Sequence, residues 1–392
     1  MNRVCSIFAQ LLQLFPRAQF QQAVQHHNAE RHARGFSCWS QFVAMLFCQL
    51  GQAKSLREIC NGLLAIEGKL KHLGIDSPPN QSTLAYANAH RPWELYQTVF
   101  GQLLSRCEAL ASQPAQRGTK FRFKNKLWSI DSTHIDLCAS LFDWAKYKRT
   151  KGAVKVHLVL DHEGYLPKFA VITDGTKGDR EVARTLHFEP GTILAIDRGY
   201  VHYRWWQELT DHGVFFVTRF KKDLIVEVLE EREVPQTGGI LRDQVVRLNG
   251  QQSRKYSMRL RLITKWNEEK QEEIQFLTNH LKFGATTVAR IYKERWQIEI
   301  FFKSLKQLLR VKTFVGTSAN ALHVQIWTAL IAVLILKYLQ MKSRFGWSLS
   351  NLVALLRQQL FVYRDLYRWI DTPFEAPPVL AGIHDGQLVL DF

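Results

Sequence analysis

Three carboxylates are the first candidates for chemistry in this 392-residue chain. Asp131 stands in LWSIDSTHIDL, where apolar and polar residues alternate, so its side chain can project from a central strand toward an open edge. Asp197 closes TILAIDRGY: a run of strand residues followed at once by Asp-Arg-Gly-Tyr puts a carboxylate at the carboxyl end of a strand, where α/β sheets hold ligands, and Gly199 lets the chain turn. A turn or cap accounts for either aspartate taken alone. Glu299 belongs to IYKERWQIEIFFKSLKQLL, in which Tyr292, Arg295, Glu299 and Lys306 fall at offsets 0, 3, 7 and 14. At about 100° per residue these four lie within about 60° of one another, forming one polar stripe. Ile298, Phe301, Leu305 and Leu308 cluster on the opposite side, which suits packing on a sheet, and Glu294 points away from the stripe. An exposed face laced with pairs such as Arg295–Glu299 explains the charges, but not the tyrosine or the alignment of Lys306. Asp136, Asp174 and Asp179 are spare carboxylates.

The elements around these residues predict an α/β core. Trp128–Leu137, Ala153–Leu160, Pro167–Thr173 and Thr192–Ile196 are short runs rich in Val, Ile, Leu and Phe and read as strands of one sheet. Arg180–Leu186 and Tyr203–Thr210 have helix-forming compositions between them. After Val214–Phe220 the segments Leu224–Leu229, Gln244–Leu248, Tyr256–Thr264 and Ile274–Leu277 are strand-like with no helix between them, an all-β insertion. Helical periodicity returns from about Thr286 to Leu309 and is followed by helices at Ala319–Gln340 and Ser348–Ile370.

The first 110 residues read as helices, among them Trp39–Leu50, Ser55–Ala65 and Gln81–His90. Ser55 with Glu58 makes a capping box, and Gly51 breaks two short helices as in a helix-turn-helix; a helical bundle without DNA contact is the alternative. ASQPAQRGTK (111–120) has linker composition. The expected organisation is thus a helical domain at 1–115, a core at 120–221 and 285–345 interrupted by the β insertion at 222–284, and a helical tail at 346–392.

Composition favours a polyanionic partner. Lys and Arg number 52 against 35 Asp and Glu, a formal charge of +17, and each neutralised phosphate releases condensed counterions. Lys146, Lys148, Arg149, Lys151 and Lys155 concentrate charge beside the first aspartate strand, where they could carry DNA or form a solvated loop. Six cysteines show neither a C-x-x-C pair nor a regular spacing, so reduced cytosolic thiols are expected. No export signal is read in the Met1–Pro16 stretch, and the apolar run Ile326–Leu336 ends at Lys337, which predicts a buried helix rather than a membrane span.

Y-x-x-R-x-x-x-E-x-x-x-x-x-x-K, here Tyr292, Arg295, Glu299 and Lys306, resembles the signature of DDE insertion-sequence transposases of the Tyr-Arg-Glu-Lys class, the IS-four group. Asp-Arg-Gly-Tyr at 197–200 resembles that family's second-aspartate motif, and Ile130-Asp131-Ser132-Thr133 its first; the likeness covers roughly residues 125 to 340. It implies an RNase H-like core with Asp131, Asp197 and Glu299 as catalytic, metal-holding residues, taking Mg²⁺ or Mn²⁺, two ions in all. It further implies DNA contacts by Tyr292, Arg295, Lys306 and Trp296, terminal inverted repeats and target DNA as partners, and a homodimer on DNA in the bacterial cytoplasm, nucleoid-associated. The family's tryptophan in the insertion has its nearest counterpart in Trp266. The expected function is cut-and-paste DNA transposition. An RNase H-like nuclease that does not join strands, and a non-catalytic DNA-binding derivative, are the alternatives.

Overall fold

The computed structural model describes residues 5–31, 33, 35–66, 68–113, 121–137, 142, 146–148, 151–309 and 314–375. Most of the linker-like stretch 111–120 and the end of the C-terminal tail lie outside the described residues, as do the side chains of the basic run 146–151.

Among the described residues, ten strands form one sheet. They are β1 (Leu127–Leu137), β2 (Lys146–Lys148), β3 (Lys151–Asp161), β4 (Leu166–Asp174), β5 (Ile193–Ile196), β6 (Phe215–Arg219), β7 (Val226–Glu231), β8 (Ile240–Leu248), β9 (Arg259–Asn267) and β10 (Glu272–Thr278). β1, β3 and β4 are an antiparallel meander, β5 runs parallel to β1, and β6 runs parallel to β5. β10 pairs antiparallel with β6 and leads outward through β9 and β8 to β7, so the strands expected as an insertion extend the same sheet.

Alternation along the strands sorts residues to two covered faces. On one face, Ile135, Leu137, Val154, Val156, Leu158 and Leu160 pack with α6 (Glu94–Ala111), α10 (Trp296–Leu309) and α11 (Ala319–Lys342). Leu127, Ile193, Ala195 and Val217 pack with α9 (Ala285–Glu294). On the other, Trp128, Ile130, Ile196 and Phe216 pack with α7 (Asp179–Ala183) and α8 (Tyr203–Asp211), the latter through Trp205, Trp206 and Leu209.

The N-terminal helices share a core with the C-terminal ones. α1 (Ile7–Leu12), α2 (Arg17–His26), α3 (Cys38–Gly51) and α5 (Gln81–His90) join α6, α11, α12 (Leu349–Gln359) and α13 (Leu366–Asp371) in one apolar cluster. α11 is long and apolar enough to cross a bilayer by length and composition, being longer than the run Ile326–Leu336 alone suggests. It nevertheless is buried on all sides among these helices. α3 is buried along nearly its whole length, and α4 (Leu56–Leu64) is capped by the Ser55 hydroxyl accepting from the Glu58 N–H.

Two helices expected as continuous are broken. The segment Thr286–Leu309 divides at Arg295, whose N–H bonds the Tyr292 carbonyl in a tighter turn. The segment Ser348–Ile370 divides because the backbone at Leu360 and Val362 is diverted to accept from Phe8 and Ile7, after which Asp365 caps α13.

Candidate active site

The two aspartates are brought level by strand register. β1 and β5 pair in parallel with Ile130 opposite Ile196, so Asp131 and Asp197 are the next residues on neighbouring strands, which lie about 4.8 Å apart. Alternation turns both toward the face covered by α9 and α10, the face of Leu127, Ile193 and Ala195.

The break at Arg295 aims the third group. α10 starts at Trp296, packs through Ile298, Phe301, Leu305 and Leu308, and carries Glu299 in its first turn. Asp131, Glu299, Lys303 and Lys306 line one cavity of about 490 Å³, together with Ser132, Thr133, Phe302 and Gln307. Asp197 lines a second hollow of about 430 Å³ with Arg180, Arg198 and Lys221. Lys303 and Gln307 escaped the sequence reading although they follow Glu299 at four and eight residues, the spacing that keeps side chains on one helix face.

Arg295 lies between the carboxylates. Its guanidinium donates to Glu299 Oε1 at 2.6 Å and reaches Asp131 Oδ2 at 3.5 Å, with the side chain only 11% exposed. The Tyr292 hydroxyl reaches Asp197 Oδ1 at 3.5 Å. Asp131 also accepts the Ser132 backbone N–H at 2.8 Å. Burial pushes the Asp131 carboxyl up to about 6; Asp197 and Glu299 push the same way, while the Ser132 N–H and Arg295 oppose them.

These residues fit a hard divalent cation. The donors are carboxylate oxygens, and the Asp131 carboxyl is raised chiefly by burial, with Asp197 and Glu299 adding to it, so a cation beside it would favour its ionised form. Among the described residues, no three His, Cys, Asp or Glu side chains are already grouped closely enough to hold an ion.

The stripe predicted on this helix converges as a set despite the break: Tyr292 on Asp197, Arg295 on Asp131 and Glu299, and Lys306 on the cavity. Trp296 is 58% exposed, so it is not part of the core. Glu294 turns away and accepts from the Tyr165 hydroxyl at 3.0 Å. Lys155, grouped in the sequence with the basic run, is instead buried and bonded to Asp179 at 2.7 Å, because its strand position faces inward. Of the spare carboxylates, Asp136 is exposed, and Asp174 accepts from the Thr176 N–H in a turn.

Comparison with known proteins shows the family of this chain. Residues 4–76 match a family model described as a domain of unknown function, DUF4372, and residues 123–335 match one described as a transposase DDE domain. The chain belongs to the DDE transposase family. It is 32% identical over 310 residues to a Sinorhizobium fredii protein bearing the name transposase y4zB, covering 78% of this chain and 83% of that one. A Geobacillus stearothermophilus protein named for transposition of insertion sequence element IS5377 is 26% identical over 69% of this chain and 70% of its own. A Synechocystis protein named for element IS4SA is 26% identical over 59% of this chain and 65% of its own. The chain is thus a DNA transposase, an enzyme of DNA cleavage and strand transfer. DDE domains in general work with divalent metal ions.

Proposed function

We propose that Asp131, Asp197 and Glu299 are the catalytic carboxylates of this transposase, on an RNase H-like core of the Tyr-Arg-Glu-Lys signature class. The observation that carries the reading is the parallel register that sets Asp131 beside Asp197 while Glu299 shares the cavity of Asp131. The strand arrangement supports the core: an antiparallel meander of three followed by two parallel strands, with β7–β10 inserted between the second aspartate and the glutamate.

In this reading the three carboxylates would hold two Mg²⁺ or Mn²⁺ ions. Such ions, when bound, activate the attacking oxygen and stabilise the leaving one in an in-line displacement. The reaction is cleavage at the transposon ends followed by attack of the freed 3′-hydroxyl on target DNA. Lys306 and Lys303 neutralise phosphates at the cavity mouth, which positions DNA without reading its sequence. Arg295 can do so only after leaving the carboxylates it now holds. The exposed Trp296 offers a ring on which a displaced base can stack. A homodimer on paired terminal repeats, in the cytoplasm, completes the proposal.

The test uses the full chain with its element's terminal repeats and Mg²⁺. Asp131→Asn is expected to bind the ends while losing cleavage, and pre-cleaved ends should be joined to target by the wild type. Retained nicking by Asp131→Asn overturns the assignment; cleavage without joining of pre-cleaved ends favours a nuclease.

A further inference from the structure

From the α7 side of the sheet a network reaches both aspartates, through Asp179 beneath Ser132 and through Arg180, which lines the hollow of Asp197; the catalytic reading leaves it unused. Ser132 follows Asp131 and faces the other way; its backbone N–H holds Asp131 Oδ1 at 2.8 Å, and its hydroxyl donates to Asp179 Oδ1 at 2.5 Å. Asp179 is gripped in turn by the Lys155 ammonium at 2.7 Å and approached by His157 Nδ1 at 3.5 Å. His157 stands directly opposite Ser132 across β1 and β3. The next residue, Arg180, donates through Nε to the Gly199 carbonyl at 3.1 Å, two residues past Asp197. α7 is anchored by Val182 and Ala183, both buried. Two consecutive side chains therefore tie the residue after one aspartate to the turn after the other.

We propose that Asp179 and Arg180 are positioning residues that brace Asp131 and Asp197 at the separation needed to share ions. The proposal rests on the reading of those aspartates as ion ligands. Neither bracing side chain needs to touch DNA or metal; each acts through Ser132 or Gly199. The parallel pairing of β1 with β5 ends at Ile130 and Ile196. Asp131 stays paired with Leu158 of β3, but Asp197 lies past the end of β5, and beyond that point the brace links the two. Partners of ligating groups commonly change metal affinity by about ten- to a hundredfold when removed.

The experiment compares Ser132→Ala, Arg180→Ala, Arg180→Lys and Asp179→Asn in the full chain. Four quantities are read: Mn²⁺ binding without DNA by electron paramagnetic resonance, the Mg²⁺ concentration for half-maximal end nicking, end-DNA affinity against salt, and melting temperature. Ser132→Ala and Arg180→Ala are expected to weaken Mn²⁺ binding and raise the Mg²⁺ requirement about tenfold. Excess Mg²⁺ should restore the rate, with end affinity within about twofold of wild type. Arg180→Lys should recover part of the loss, since an ammonium can still donate to Gly199. Asp179→Asn should lose more, and if it does not fold, the Ser132 and Arg180 variants decide. Unchanged Mn²⁺ binding in both overturns the proposal. So does weaker end affinity with a shallower salt dependence in Arg180→Ala, which would make Arg180 a phosphate contact. Failure of the parent reading looks different, because Asp131→Asn would then nick at every Mg²⁺ concentration.

Discussion

The Arg295 guanidinium donates to the Glu299 carboxylate at 2.6 Å while reaching toward Asp131, so one side chain neutralises two of the three proposed ligands. Arg295→Ala leaves those carboxylates facing each other. Because Glu299 is about one-third exposed, the cost is discounted for solvent screening to about 1–2 kcal/mol. A divalent ion binding only the folded state should then stabilise the variant more than the wild type. Thermal melts with and without Mn²⁺ measure this, and equal shifts in the two proteins would contradict the role assigned to Arg295.

In the extended part of the sheet, Asp243 and Arg261 form a bidentate ion pair with both side chains under 5% exposed. Arg261 also donates to the Phe283 carbonyl just before α9. Arg261→Met strands a buried carboxylate and is expected to cost about 3–5 kcal/mol, whereas Asp243→Leu with Arg261→Met should recover much of it. Urea unfolding midpoints of the two variants check the order; a double variant no better than the single one would refute it.

His157 gives a pH dependence. Burial pushes its imidazole down to about 4, with Lys155, His134 and Lys177 adding to the effect and Asp179 opposing it. The unfolded chain takes up this proton near pH 6.5 and the folded chain only near 4, so the contribution is fully present above about 6.5 and lost as pH falls through that window. The shift corresponds to roughly 3 kcal/mol. Asp131 titrates in an overlapping window with the opposite sign, since its folded value is raised, so variant and wild type must be compared directly. Denaturation at pH 7.5 and 5.0 should show a smaller loss for His157→Asn than for wild type; identical losses would exclude this histidine as the cause.

The grouping of the candidate site residues was legible in the sequence where a period governs geometry. Alternation placed Asp131 and the apolar run placed Asp197, and helical spacing grouped Tyr292, Glu299 and Lys306 although the helix breaks at Arg295. Only local rules were needed. What stayed hidden depends on pairing across distant segments. Nothing near Lys155 in the chain reveals that Asp179 will meet it, so it reads as one more basic residue beside Lys151. The diversion at Leu360–Val362 was equally invisible, because its cause is the backbone of Ile7 and Phe8. That the strands after Val226 lengthen the existing sheet follows from the Thr278–Val217 pairing, which composition does not encode.

The all-round burial of α11 limits how this enzyme can be dissected. The transposase-domain match stops at residue 335, inside that helix. Trp327 packs against Phe100, and the Cys107 thiol meets the Leu334 carbonyl, so helices preceding the match supply the wall on one side of it. A fragment trimmed to the matched segment would expose a long oily flank and precipitate. The amino-terminal helices and the transposase domain therefore share one apolar core, and neither can be cut from the other without opening it.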